Sequence, residues 1–223
     1  MSGEGGSGRW GILPLHLDTV HYPDWHPRAG EFGPVYAYLL ESDEHLVLVD
    51  TGIGPAHELL DRLYEPERRD IVLALAQNNG IEPGDIDAIV ISHLHFDHVG
   101  GAQYFGDTPI YVQRAEWEAA QAPKYTIPEF LAFEGANFVK LDGGTELALG
   151  LRLIVTADHT PGHQVVAVAT PAGTIVLAGQ SIETFAEYNA MLASGELSDG
   201  ARTIGALEPA KVFFSHDHRV WER

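Results

Sequence analysis

Three short strand-like runs in this chain each lead into histidines, and this pattern constrains the fold more than any other feature. Ile86 to Ile91 runs straight into Ser92-His93-Leu94-His95-Phe96-Asp97-His98. Leu151 to Thr156 precedes His159-Thr160-Pro161-Gly162-His163, and Lys211-Val212-Phe213-Phe214 ends in Ser215-His216-Asp217-His218. Seven of the 12 histidines fall in these clusters. Scattered structural histidines would not concentrate at three strand ends, where a rigid scaffold positions functional side chains. His16, His21, His26, His45 and His57 lack such a context and are assigned to surface or core.

The first cluster points to a metal. A strand running into a loop directs residues i and i+2 the same way, so His93 and His95 can share one ion. Asp97 and His98 follow where Val99-Gly100-Gly101 turns the chain toward a helix, and they can face the same cavity from the other side. Imidazole nitrogen and carboxylate oxygen suit zinc and its transition-series neighbours. Without an ion, four such groups crowded together are costly to bury. Pro161 and Gly162 set a tight turn that presents His163 at a strand end.

At 223 residues the chain is long enough for one sizeable core. Strand-like runs fall at 12–17, 35–41, 46–49, 87–92, 109–112, 152–156, 165–169, 174–178 and 211–214, with helical patterns at 55–64, 67–79, 114–121 and 203–207. Residues 1–8 are Gly- and Ser-rich and read as a flexible tail, leaving 9–223 as a single domain. Neither a secretory leader pattern nor an apolar run of about 18 residues is present, so a cytoplasmic location without membrane insertion is expected. The net charge of −19 would repel nucleic acid. The absence of cysteine excludes disulfides.

Residues and spacing together resemble the metallo-β-lactamase fold superfamily, with its His-x-His-x-Asp-His signature, and more closely its quorum-quenching branch, the N-acyl-homoserine lactone lactonases. The resemblance rests on Pro34 to Glu41, Leu48-Val49-Asp50-Thr51-Gly52, Ser92 to Gly101, Thr108 to Arg114, His159 to Gln164 and Phe213 to Asp217. It implies an α/β fold, the four-layer αβ/βα sandwich. It further implies that His93, His95 and His163 hold one metal, that Asp97, His98 and His216 hold a second, and that Asp50 orients ligand histidines. Zinc is the expected ion, one or two per chain, with manganese, iron or cobalt also compatible with the ligands. A hydroxide on the metals would then be the nucleophile. Some true β-lactamases of the superfamily use a cysteine ligand, which this chain lacks.

Two positions depart from the lactonase pattern. Gln180 follows Thr174 to Gly179 where the family places a bridging aspartate, and Glu183 stands where lactonases carry a carbonyl-polarising tyrosine. Two dications about 3.5 Å apart repel by roughly 19 kcal/mol even at an effective dielectric of about 20, and a neutral glutamine does little to offset this. Two metals with a weakened second site is the favoured outcome. A single metal on His93, His95 and His163, with Asp97 as general base, comes next, ahead of replacement of the missing carboxylate by Glu183.

Tyr22, Trp25 and Phe32, together with Phe96, Pro123 to Phe133 and Thr184 to Leu192, could wall an apolar pocket, and Tyr188 is the candidate to take over the carbonyl-polarising role. The expected function is metal-dependent hydrolysis of a lactone or related ester with an apolar part, Asp97 managing the proton. The altered Gln180 and Glu183 suit instead a non-hydrolytic lyase, decarboxylase or cyclase on the same fold. A binding protein with a purely structural metal would not need six ligand positions in an open layout.

Overall fold

The computed structural model of the chain describes residues 9–78 and 80–223. The stretch 1–8, expected to be a tail, lies outside the described residues, as does the last position of the helix expected over 67–79. Strands β1 (Gly11–His21), β2 (Phe32–Glu41), β3 (Leu46–Val49), β4 (Glu67–Arg68), β5 (Ala88–Val90), β6 (Pro109–Gln113) and β7 (Asn137–Leu141) form one sheet, in the order β4-β1-β2-β3-β5-β6-β7. The second sheet holds β8 (Thr145–Ala148), β9 (Leu151–Val155), β10 (Gln164–Thr170), β11 (Gly173–Leu177), β12 (Lys211–Phe213) and β13 (Trp221–Glu222), in the order β13-β12-β11-β10-β9-β8. The helices are α1 (Glu58–Tyr64), α2 (Ile71–Gln77), α3 (Phe96–Val99), α4 (Arg114–Ala119), α5 (Phe185–Ser194) and α6 (Asp199–Ala206).

The four layers follow from side-chain alternation along fully buried strands. On the first sheet, Leu39, Leu48 and Ile89 cluster with Leu60 of α1 and with Ile71 and Leu75 of α2. Their neighbours Leu40, Val47 and Val90 point the other way and cluster with Leu153, Val166 and Val168 of the second sheet. Val165, Ala167 and Val176 face outward from that sheet onto Tyr188 of α5 and Ala201 and Ile204 of α6. The order is helices, sheet, sheet, helices, which is the expected αβ/βα sandwich.

Several elements differ from the sequence-based expectation. The helical pattern at 67–79 opens instead as β4, paired with β1 at Asp18 and Thr19, and the helix starts only after Asp70 caps it by accepting from Val72 and Leu73 N–H. Strands β7 and β8 are only partly buried and so lack a strong apolar signal. Residues 185–194, expected as pocket wall, are helix α5. Its N-cap Thr184 accepts from Glu187 N–H, and Gly195 ends it at φ 76°.

Cross-links between the sheets carry the three histidine clusters to one place. Gln164, at the start of β10, donates its backbone N–H to Ser92 O and its side-chain amide to Ile91 O, each at 2.9 Å. Tyr38 Oη donates to Phe214 O at 2.9 Å, and Tyr36 N–H donates to Ser215 O at 3.1 Å. The ends of β5, β9, β11 and β12 therefore meet at one edge of the sandwich.

Candidate metal centre

At the end of β3 the backbone turns through Asp50, a non-glycine residue at φ 58°. This uncommon conformation aims the carboxylate into the first cluster. Asp50 Oδ1 accepts from Ser92 N–H at 2.7 Å, while Oδ2 accepts from Ser92 Oγ at 2.9 Å and from His98 Nδ1 at 2.8 Å. The loop that follows lies flush against the 51–54 turn. A Cβ on Gly100 would sit 1.9 Å from Ile53 O, so only glycine fits there. Asp50 thus fixes the ring orientation of His98.

Two donor groups result, each with its ligand atoms within 4.8 Å of one another: His93, His95 and His159, and Asp97, His98 and His216. In the first, His95 Nδ1 lies 2.9 Å from His93 Nε2 and 3.3 Å from His159 Nε2. Burial, reinforced by the neighbouring histidines, holds the pKa of His93 well below its usual value. Desolvation of its cavity-facing edge and the His95 and His98 rings push His159 down to about 4. These rings are neutral at physiological pH, the form in which imidazole binds a metal.

The second group gives the sharper test of fit. His216 Nδ1 donates to Pro34 O at 2.9 Å, which leaves its Nε2 lone pair unprotonated. That Nε2 is buried without a hydrogen-bond partner and faces Asp97 Oδ2 at 3.5 Å. A lone pair aimed at a carboxylate oxygen is unfavourable unless a cation sits between them. Burial opposes ionisation of Asp97, but His98, His216 and His95 outweigh it and keep its pKa below the usual value. Burial likewise works against charging His98, and Asp50 and Asp97 overcome it, lifting that ring to about 9. The donors fit a divalent ion.

One expected ligand lies outside both donor groups. His163 is fully buried and belongs to neither group; its Nε2 accepts from Gln180 N–H at 3.0 Å and its Nδ1 bonds Thr156 Oγ1 at 2.8 Å. Its backbone is also tied down, its carbonyl accepting from Thr156 and Ala157 N–H. His163 therefore braces the loop, and His159, four residues earlier, takes the place by His93 and His95. The sequence signal was present, since the motif carries both histidines, but ring direction inside a turn does not follow from spacing.

Above the donors lies a cavity of about 300 Å³, walled by Tyr22, Tyr64, Phe96 and Tyr125, with His95, His159, Gln180 and His216 at its base. On the other side of His216 a broader groove of about 550 Å³ is lined by Arg28, Phe32, Glu183 and Arg219. Trp25 and Phe32, expected in the wall, are 64% and 66% exposed.

The metallo-beta-lactamase superfamily model matches residues 30–222, nearly the whole chain. The chain belongs to the metallo-beta-lactamase superfamily. An N-acyl homoserine lactonase of Bacillus cereus is 33% identical over 205 residues, covering 82% of this chain and 81% of the relative. N-acyl homoserine lactonase AiiA of Bacillus thuringiensis subsp. kurstaki is 31% identical over 208 residues with the same coverage. A solved N-acyl homoserine lactone hydrolase, with the product N-hexanoyl-L-homoserine at its catalytic metal centre, superposes with a TM-score of 0.77 at 28% identity, covering 96% and 95% of the two chains.

Within that family frame, three expected site residues have specific placements. Gln180 lies in the second cluster, its Oε1 accepting from His98 Nε2 at 3.1 Å. Glu183 does not replace the missing carboxylate, because Arg28 Nη1 holds it at 2.9 Å and Tyr22 Oη donates to it at 3.4 Å. Tyr188 is 2% exposed and packs against Phe214 and Trp221 in the outer core, so it is not available to polarise a carbonyl. The sequence offered no signal for Arg28. Among the described residues no helix is long and apolar enough to cross a membrane.

Proposed function

We propose that this protein is a metal-dependent hydrolase that opens lactone rings, with acyl-substituted lactones as the substrate class and zinc as the first choice of ion. The observation that carries this reading is the pair His216 Nε2 and Asp97 Oδ2, two facing acceptors 3.5 Å apart beneath a cavity with aromatic walls. The lactonase relatives support the ring chemistry.

His93, His95 and His159 would hold one ion and Asp97, His98 and His216 a second. Divalent ions bound there activate water and polarise an ester carbonyl. The chain's own residues do the rest. Asp50 and the Pro34 carbonyl hold His98 and His216 in the tautomers that leave Nε2 facing inward. Asp97 Oδ2, at the cavity floor, is the acceptor for the proton released as water attacks. Tyr64, Phe96 and Tyr125 provide an apolar wall for the acyl part. Gln180 offers His98 a neutral oxygen in place of a bridging carboxylate, so the second ion is held more weakly than the first.

Gln180 and the Arg28–Glu183 pair favour a second reading, a non-hydrolytic lyase, decarboxylase or cyclase at the same centre. Elemental analysis of freshly purified protein, alongside a His216→Ala variant and a panel of lactones, esters and carboxylic acids, tests the proposal. Close to two metals per chain, falling to one in the variant, together with lactone opening, is the expected result. One metal in both would sink the dinuclear reading, and turnover of carboxylic acids without lactone opening would favour the second.

A further inference from the structure

Glu116, on α4, is the one carboxylate among the described residues that hydrogen-bonds both loops of the first histidine cluster. It is fully buried, an environment a carboxylate tolerates only when its lone pairs are satisfied. Oε1 accepts from Leu94 N–H at 2.8 Å and from Tyr125 Oη, and Oε2 accepts from Thr160 Oγ1 at 2.7 Å and Gly162 N–H at 3.1 Å. Leu94 is the residue between His93 and His95. Thr160 directly follows His159. Tyr125 lies against the His95 ring, with centroids 5.1 Å apart. All three donors of the cluster are therefore one residue or one ring contact away from this carboxylate. Gly162 allows the approach, since a Cβ there would lie 2.2 Å from Glu116 N and 2.4 Å from Glu116 Cβ.

We infer that Glu116 is a positioning residue that sets the separation of the two loops and so preorganises the His93–His95–His159 cluster, and that cluster alone, for its ion. The inference rests on the metal centre proposed above. The second cluster is oriented independently, by Asp50 and Pro34 O, and donates no hydrogen bond to Glu116. A glutamine at 116 would turn an NH2 group toward one of the two donor pairs and release that loop.

The test is a cobalt(II) titration of metal-free protein followed by visible absorption. Glu116→Gln placed in a His216→Ala background reports the first cluster, and Glu116→Gln in a His159→Ala background reports the second. First-cluster affinity should fall at least about tenfold, the range seen when groups that orient metal ligands are removed, while second-cluster affinity stays unchanged. Thr160→Val, which removes a single hydrogen bond on the Oε2 side, should give a smaller loss confined to the first cluster, and it serves if Glu116→Gln does not fold. Equal losses at both clusters, or none at either, would overturn the inference. Failure of the parent protein to bind cobalt would overturn the metal centre itself, and the inference with it.

Discussion

Arg28 Nη1 donates to Glu183 Oε1 at 2.9 Å, linking two residues 155 positions apart in the wall beside the metal centre. The same guanidinium lies over the Tyr22 ring, 4.6 Å from its centroid. Both partners of the ion pair are more than two-thirds buried, at 22% and 29% side-chain exposure. Removing one charge strands the other, which costs more than removing both. Arg28→Met should therefore lower unfolding free energy by about 1–2 kcal/mol in chemical denaturation, and Arg28→Met/Glu183→Met should recover most of it. An additive double variant would show that the pair is not coupled.

Gln180→Asp would place an anion where Gln180 Oε1 now accepts from His98 Nε2 at 3.1 Å. The added charge offsets repulsion between two dications, so the second metal should resist chelator better and lactone turnover should rise. Competition with a zinc chelator and a ring-opening assay read the two effects. If the substitution abolishes some other turnover and adds no lactonase activity, the non-hydrolytic reading prevails.

His159→Ala and His163→Ala should fail in different ways. His159 is exposed, with its ring toward His95, so its loss should remove about one metal equivalent and leave thermal stability nearly unchanged. His163 is buried and braced by Gln180 N–H and Thr156, and its removal opens a void. That variant should lose about 2–4 kcal/mol of stability, as buried truncations do. Melting temperature and metal content, measured side by side, would refute the ligand exchange if the two patterns were reversed.

The His98 ring must release a proton before its Nε2 can take a metal. Because Asp50 and Asp97 lift its pKa to about 9 in the metal-free protein, affinity at the second cluster should rise up to about tenfold per pH unit toward pH 9 and then level off. The effect on stability has the opposite sign. A histidine raised from 6.5 to about 9 in the fold stabilises the metal-free protein fully below pH 6.5, and that contribution disappears as pH climbs through 9. Calorimetric zinc titrations in buffers of differing protonation enthalpy would detect the proton. A pH-independent affinity between 7 and 9 would contradict it.

The sandwich and the histidine clusters at its strand ends were legible in the sequence, because both rest on local patterns. Continuous apolar strands alternate between two cores, and His-x-His-x-Asp-His crowds ligand chemistry into six residues at a strand end. Helix α5 also carried its signals, Thr184 at the N-cap and Gly195 past the C-terminus, but its aromatic content made it resemble a pocket wall. The tertiary structure alone decided what depends on direction and on distance between remote residues. It turned His159 rather than His163 toward His93, tied Glu183 to Arg28, sank Tyr188 into the core and gathered four donors from three segments onto Glu116. Side-chain chemistry and spacing specify which groups are available. Only packing, which sets the direction of each ring and carboxylate, determines which of them converge on one point.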